Sequence, residues 1–253
     1  MQNYSFLQPL LILFFLMFRT AVAMTTSKDT KQGALIFLHG LGDTPAGWSD
    51  LRRNLPSFHS RLQNIEYVFP AAPQISLTIN GGAVMPGWFD LFDWPIAVGS
   101  KDDKEGLLDG VKLIEDHVSK LNEKGIPSSK IMIGGFSQGG AVALLAAYRN
   151  NNEEAYAGCA ALSGWLTLPE ELSVSEKAGK KTPLFWGHGT FDDKVLFPQQ
   201  KFGVDKLREQ GVNVKDKAYD IGHSSDPDEM KDFADFVDTC IFGSDTTTSS
   251  GKL

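Results

Sequence analysis

An α/β architecture, with a mostly parallel sheet covered by helices on both faces, is predicted by three features of the chain. Short apolar runs recur at Leu35–Leu38, Ile65–Phe69, Ile131–Ile133, Ala157–Leu162, Pro183–Trp186 and Val212–Tyr219. Helical patterns separate most of them, at Leu107–Leu121, Ala141–Tyr148, Gln199–Glu209 and Asp228–Ile241. One run, Ile131–Ile133, leads through Gly-Gly-Phe-Ser-Gln-Gly-Gly directly into a helix. Strands that alternate with helices pair in parallel, because each crossover lays a helix against the sheet. One domain is expected over residues 31–242, after a signal-like leader at 1–23 and before a polar tail at 243–253 expected to be disordered. About 230 residues follow the leader, within single-domain range.

Taken in order, Leu35–Leu38 ends in His39-Gly40-Leu41-Gly42-Asp43, whose glycines let the backbone approach a ligand closely. The second run, Ile65–Phe69, opens a long connection to Asp93 that is rich in Pro and Gly yet apolar, an odd mixture for a solvated loop. Two roles fit it. Leu77, Ile79, Met85 and Trp88 could wall a channel over the site, or they could plug the core; Leu77 and Met85 suit the channel better, Trp88 and Phe89 the core. Ile131–Ile133 is a buried β-branched strand, and Ala157–Leu162 carries Cys159 as a small core residue. Pro183–Trp186 ends in the loop Gly187–Val195, and Val212–Tyr219 ends in Asp220–Ser225 before the last helix.

The chemistry centres on Ser137. A Gly-x-Ser-x-Gly turn between strand and helix leaves the hydroxyl exposed above the sheet, and Gly135 and Gly139 remove the Cβ atoms that so tight a turn would crowd. A serine nucleophile needs an imidazole base and a carboxylate that orients it. Of the five histidines, His39 and His188 end apolar runs, His59 lies in a polar loop and His117 inside a helix. His223 remains, in a loop after a strand, in the order Ser…Asp…His. Asp192 and Asp193 both qualify as the acid, and the spacing His-Gly-x-x-Asp-x-x-Val prefers Asp192. The carbonyl oxygen that becomes negative during attack needs donors. The backbone N–H groups of Gln138 and Leu41 are the candidates.

The segments Phe37–Asp43, Met85–Asp90, Gly134–Gly140 and Ala161–Leu166 occur in that order. Together they resemble the acyl-protein thioesterase/lysophospholipase family, the phospholipase/carboxylesterase group of α/β hydrolases, over about residues 31–242. The resemblance implies an α/β-hydrolase fold, with Ser137 as nucleophile, Asp192 as acid, His223 as base, and Leu41 and Gln138 as oxyanion donors. It implies an enzyme that needs no cofactor and acts on S-acylated proteins, lysolipids or small esters. Two departures stand out. Thr190, Asp193 and Leu196 replace residues usual in the family's acid loop, and Trp94–Lys104 is more apolar at its start, which would alter the mouth of an acyl site.

A net charge of −7, with no basic patch, argues against a nucleic-acid partner. The two cysteines, Cys159 and Cys240, have neither metal-ligand spacing nor the density of a disulfide framework, so neither a metal nor a cofactor is expected. Leu7–Phe18 followed by Ala21-Val22-Ala23 has the form of a secretory signal, but it lacks a basic start, and Met24 would serve as an alternative initiator. A cytoplasmic enzyme with peripheral membrane contact is the expectation, and a secretory-pathway enzyme the alternative. Nothing in the residues decides the oligomeric state. A non-catalytic acyl-chain binder on the same scaffold is the reading from a different class.

Overall fold

The structure, a computed structural model, describes residues 31–149, 154–177 and 179–243. The expected leader and most of the expected tail lie outside the described residues. Six strands, β1 (Ala34–Leu38), β2 (Glu66–Val68), β5 (Ile131–Phe136), β6 (Gly158–Leu162), β7 (Leu184–Gly189) and β8 (Val214–Tyr219), form one sheet in the order β2-β1-β5-β6-β7-β8. Every pairing within it is parallel. The central strands β1, β5, β6 and β7 are buried along almost their whole length, as expected for a sheet covered on both faces. β8, at the edge, alternates less and exposes its middle residues.

Among the described residues, six α-helices flank or adjoin the sheet: α1 (Pro45–Trp48), α2 (Leu51–Phe58), α3 (Lys104–Glu123), α4 (Gln138–Tyr148), α5 (Pro198–Glu209) and α6 (Pro227–Phe242). Alternate strand residues feed two cores. Ile36, Leu38, Ile133 and Trp186 meet α3, α4 and α5, whereas Leu35, Phe37, Met132 and Phe185 meet α2 and α6. α4 is buried all round, which its Ala- and Leu-rich sequence permits, since it carries no polar stripe to solvate.

The apolar connection after Phe69 is less irregular than the sequence suggests. β3 (Gln74–Leu77) and β4 (Ala83–Pro86) pair as an antiparallel hairpin apart from the main sheet. Gly81 and Gly82, both at positive φ, make the turn between them. The Gly42 N–H donates to the Pro86 carbonyl at 2.8 Å, so the hairpin is fastened to the loop after β1. All six strands of the main sheet, being parallel, end at one rim, where the loops after β1, β5, β7 and β8 converge.

Candidate active site

Ser137 sits between β5 and α4 with φ 54° and ψ −121°, a conformation costly for any residue with a side chain. The strain persists because the surroundings allow nothing else. The Ser137 N–H donates to the Leu162 carbonyl at 2.8 Å. A Cβ on Gly135 would overlap the Gly139 backbone, and one on Gly139 would sit 2.6 Å from the His39 carbonyl oxygen and collide with that of Leu38. Both glycines are thus required by backbone packed against backbone.

The three side chains expected to work together meet in one chain of hydrogen bonds. His223 Nε2 lies 2.9 Å from Ser137 Oγ, and its Nδ1 lies 2.7 Å from Asp192 Oδ2. With Nδ1–H donating to the carboxylate, Nε2 carries the lone pair that accepts the serine proton. Asp192 is buried, and its second oxygen accepts from the Lys194 and Val195 amides at 2.9 Å each. Burial works against its charged form, but the hydrogen bonds from His188 and His223 and the His223 charge prevail, holding the carboxyl well below its ordinary range. Its charge is therefore present at neutral pH and is lost only as pH falls through that depressed value.

The rival acids are elsewhere. Asp193 is exposed and pairs with Lys194 at 3.2 Å. Asp220 accepts from Thr190 Oγ1 at 3.3 Å, and Asp226 caps α6 by accepting from the Glu229 N–H at 2.8 Å. Three of the other histidines, His39, His59 and His188, are also engaged. His39 donates from Nδ1 to the Gly40 carbonyl at 2.8 Å and accepts from the Ala72 N–H at 3.2 Å. His59 pairs with Asp235 at 2.6 Å. His188 is wholly buried, with Nε2 2.8 Å from the Val195 carbonyl and 3.3 Å from Asp192 Oδ2. This support of the acid by a second histidine has no separable signal in the sequence, where His188 reads as a strand end.

Both residues that carry the candidate oxyanion donors border the cleft at Ser137. Gln138 is the first residue of α4, so its N–H has no acceptor within the helix. The Leu41 N–H has no backbone acceptor among the described residues, and Leu41 lines the same cleft as Ser137 and Gln138. The Gln138 side chain has a further role. Buried completely, it accepts from the Trp88 N–H at 2.9 Å and donates to the Phe89 carbonyl at 2.7 Å. Trp88 Nε1 in turn donates to the His39 carbonyl at 2.8 Å. The two donor loops and the hairpin's exit are therefore tied into one unit.

A cleft of about 570 Å³ opens at Ser137, with Leu41, Leu91, Trp94, Ile96, Trp165 and Val195 among its walls. The expected channel residues fall differently. Leu77 is buried and does not border this cleft; Trp88, which suited the core better, does belong to the core, beneath the donor loops. Met85 is half-buried and places its sulfur against Gly42, behind the loop that carries Leu41, and it does not line the cleft either. Pairing of β3 with β4 carries Leu77 into the interior and sets Met85 behind the Leu41 loop, and local apolarity cannot reveal which way a hairpin folds back. The walls come instead from the Leu91–Ile96 stretch, from Trp165 after β6, and from Val195, which pairs with Ile96 in an isolated parallel bridge. The apolar start of Trp94–Lys104 does lie at the mouth, with Trp94 half in solvent. Among the described residues, no cluster of His, Cys, Asp and Glu has the form of a metal site.

Comparison with known proteins places the chain in a family. Residues 20–241 match the family model described as phospholipase/carboxylesterase. Acyl-protein thioesterase 1 of Saccharomyces cerevisiae is 39% identical, over 87% of this chain and 96% of the relative. Carboxylesterase SOBER1 of Arabidopsis thaliana is 34% identical, over 84% of this chain and 92% of the relative. The crystal structure of SOBER1 superimposes with a TM-score of 0.76 at 33% identity, covering 83% of this chain and 99% of that one. That of Zea mays acyl-protein thioesterase 2 gives 0.72 at 32% identity, covering 85% and 96%. The chain belongs to the phospholipase/carboxylesterase family of α/β hydrolases.

Proposed function

We propose that this chain is a serine hydrolase that cleaves acyl thioesters and esters, and that its substrates are S-acylated proteins. The single observation that carries the proposal is the unbroken relay from Ser137 Oγ through the His223 ring to Asp192. His223 takes the serine proton as Oγ attacks the acyl carbonyl, and Asp192 keeps the ring in the right tautomer and balances its charge. The Leu41 and Gln138 amides receive the oxyanion; each such donor is worth about 10²–10³-fold in rate. The leaving thiol or alcohol takes the serine proton from His223, the neutral ring then accepts a proton from the attacking water, and return of that proton to Ser137 Oγ releases the acyl group as the free acid. The apolar cleft supports an acyl substrate, since each buried CH₂ contributes about 0.8 kcal/mol. Relatives named acyl-protein thioesterase support the thioester over the simple ester.

A second reading, a carboxylesterase or lysophospholipase, is favoured by the likeness to a protein named carboxylesterase and by a cleft that is open at Trp94 and not sealed. A series of acyl-peptides, lysolipids and short esters in competition tests the choice. Palmitoyl-peptide turnover leading the series supports the thioesterase, and preference for acetyl or butyryl esters overturns it. Ser137→Ala should abolish turnover and fluorophosphonate labelling while the protein still folds; unchanged activity would refute the hydrolase altogether.

A further inference from the structure

One buried ionisable group near the site has no part in the mechanism above. Glu229 occupies the first turn of α6, six residues after His223, and its side chain is wholly buried. Neither carboxyl oxygen has a hydrogen-bond partner among the described residues. The carboxyl lies against Gly187 of β7: a Cβ at that glycine would overlap Oε1 and sit 3.1 Å from Cδ. Gly187 is therefore small because Glu229 fills its place. This contact joins two elements that carry the relay. β7 leads into the loop of Asp192, and α6 follows the loop of His223. The two loops also touch directly, for the Thr190 N–H donates to the Tyr219 carbonyl at 2.8 Å and the Phe191 N–H to the Ile221 carbonyl at 3.0 Å.

The charges around Glu229 are mostly of its own sign. On α6 itself, Asp226 caps the helix and Asp232 lies one turn on. From β8, Tyr219 donates to Asp232 Oδ2 at 2.8 Å and Lys217 pairs with the same oxygen at 2.6 Å, so that lysine is already engaged. On β7, His188 follows Gly187 and bonds to the Val195 carbonyl. His59 and Arg61 face Asp235 and Asp238, farther along the helix. A carboxylate here would be desolvated, unpaired and repelled.

We propose that Glu229 is a positioning residue that must remain a neutral carboxylic acid, and that its ionisation loosens the α6–β7 contact and draws His223 out of line with Ser137 and Asp192. Consistently, burial first, and then Asp226 and Asp232, push its pKa up to about 8. The sign follows. An acid whose folded pKa is raised above its unfolded value leaves the protein most stable below the unfolded value, near 4.5, and stability is then lost as pH rises toward about 8. The activity arm of the idea rests on the hydrolase reading; the stability and titration arms do not.

The test compares wild type with Glu229→Gln, an uncharged side chain of the same shape, in the full chain from about pH 5 to pH 9.5. In wild type, Tm should decline and ester kcat/KM should show an alkaline limb near pH 8. In the variant, kcat/KM at pH 6 should stay within about threefold of wild type, the limb should move up or vanish, and Tm at pH 9 should exceed that of wild type. A variant that keeps both the wild-type limb and the wild-type Tm profile overturns the proposal. Should the variant fail to fold, ¹³C-NMR titration of Glu229 in wild type decides: ionisation near pH 8 supports the inference, and ionisation below pH 6 sinks it. If no ester is turned over by wild type, the hydrolase reading has failed, while the Tm and NMR results still judge Glu229.

Discussion

The two halves of the Ser137–His223–Asp192 relay are held by different physics. On the serine side, the elbow is a rigid object: Gly135, Gly139 and Gly140 bring backbone against backbone, and the helix that follows is buried on every face. On the other side, Asp192 and His223 ride on two surface loops that brace each other by a few amide hydrogen bonds, with Phe191 between them 70% exposed. The elbow is protected by sterics, which tolerate no substitution at the glycines. The loops are protected by hydrogen bonding, which tolerates many side chains but depends on where charges and protons sit. That contrast explains why the loops can depart from the usual family pattern at Thr190, Asp193 and Leu196 while the relay distances stay short.

The comparison can be broken from either side. The largest effect is expected from Asp192→Asn. The amide keeps the shape but invites the wrong histidine tautomer, and kcat should fall about 10⁴-fold with little change in KM or folding. Steady-state kinetics beside a thermal melt check this, and a loss of less than tenfold would remove Asp192 from the relay. On the elbow side, Gly139→Ala should do the reverse, damaging structure and rate together. Its methyl must displace the Leu38 and His39 carbonyls, moving the Gln138 N–H away from the oxyanion, so a loss of about 10²–10³-fold in kcat is expected along with a lower Tm. A variant with wild-type kinetics would mean that the elbow yields more than its contacts imply. The smallest effect belongs to the ties between the elbow and the hairpin. Gln138→Leu orphans the buried Trp88 N–H and Phe89 carbonyl, at about 1–3 kcal/mol for each group, read by denaturant unfolding. Its backbone donor remains, so kcat should change less than in the glycine variant.

Much of this was legible along the chain. The strand–turn–helix context of Ser137, the position of His223 after a strand, and the spacing that prefers Asp192 to Asp193 are local patterns, and the structure brings those three side chains within hydrogen-bond distance. The alternation of apolar runs with helical ones pointed to a parallel sheet because crossover connections leave strands few other ways to pair. The cleft walls were not legible in the same way. Leu77, Met85 and Trp88 are apolar and lie in the right stretch of chain, yet they pack into the scaffold, while Leu91, Ile96 and Trp165 border the cleft.

Features with short-range causes are written along the chain: a turn so tight that only glycine can flank its serine, and strands too apolar to lie anywhere but inside. Tertiary structure alone decided which apolar side chains face the cleft, that His188 also reaches Asp192, and that the carboxyl of Glu229 fills the place left by Gly187. These depend on pairs of residues far apart in the chain, and the chemical character of either partner is the same whether or not the fold brings them together.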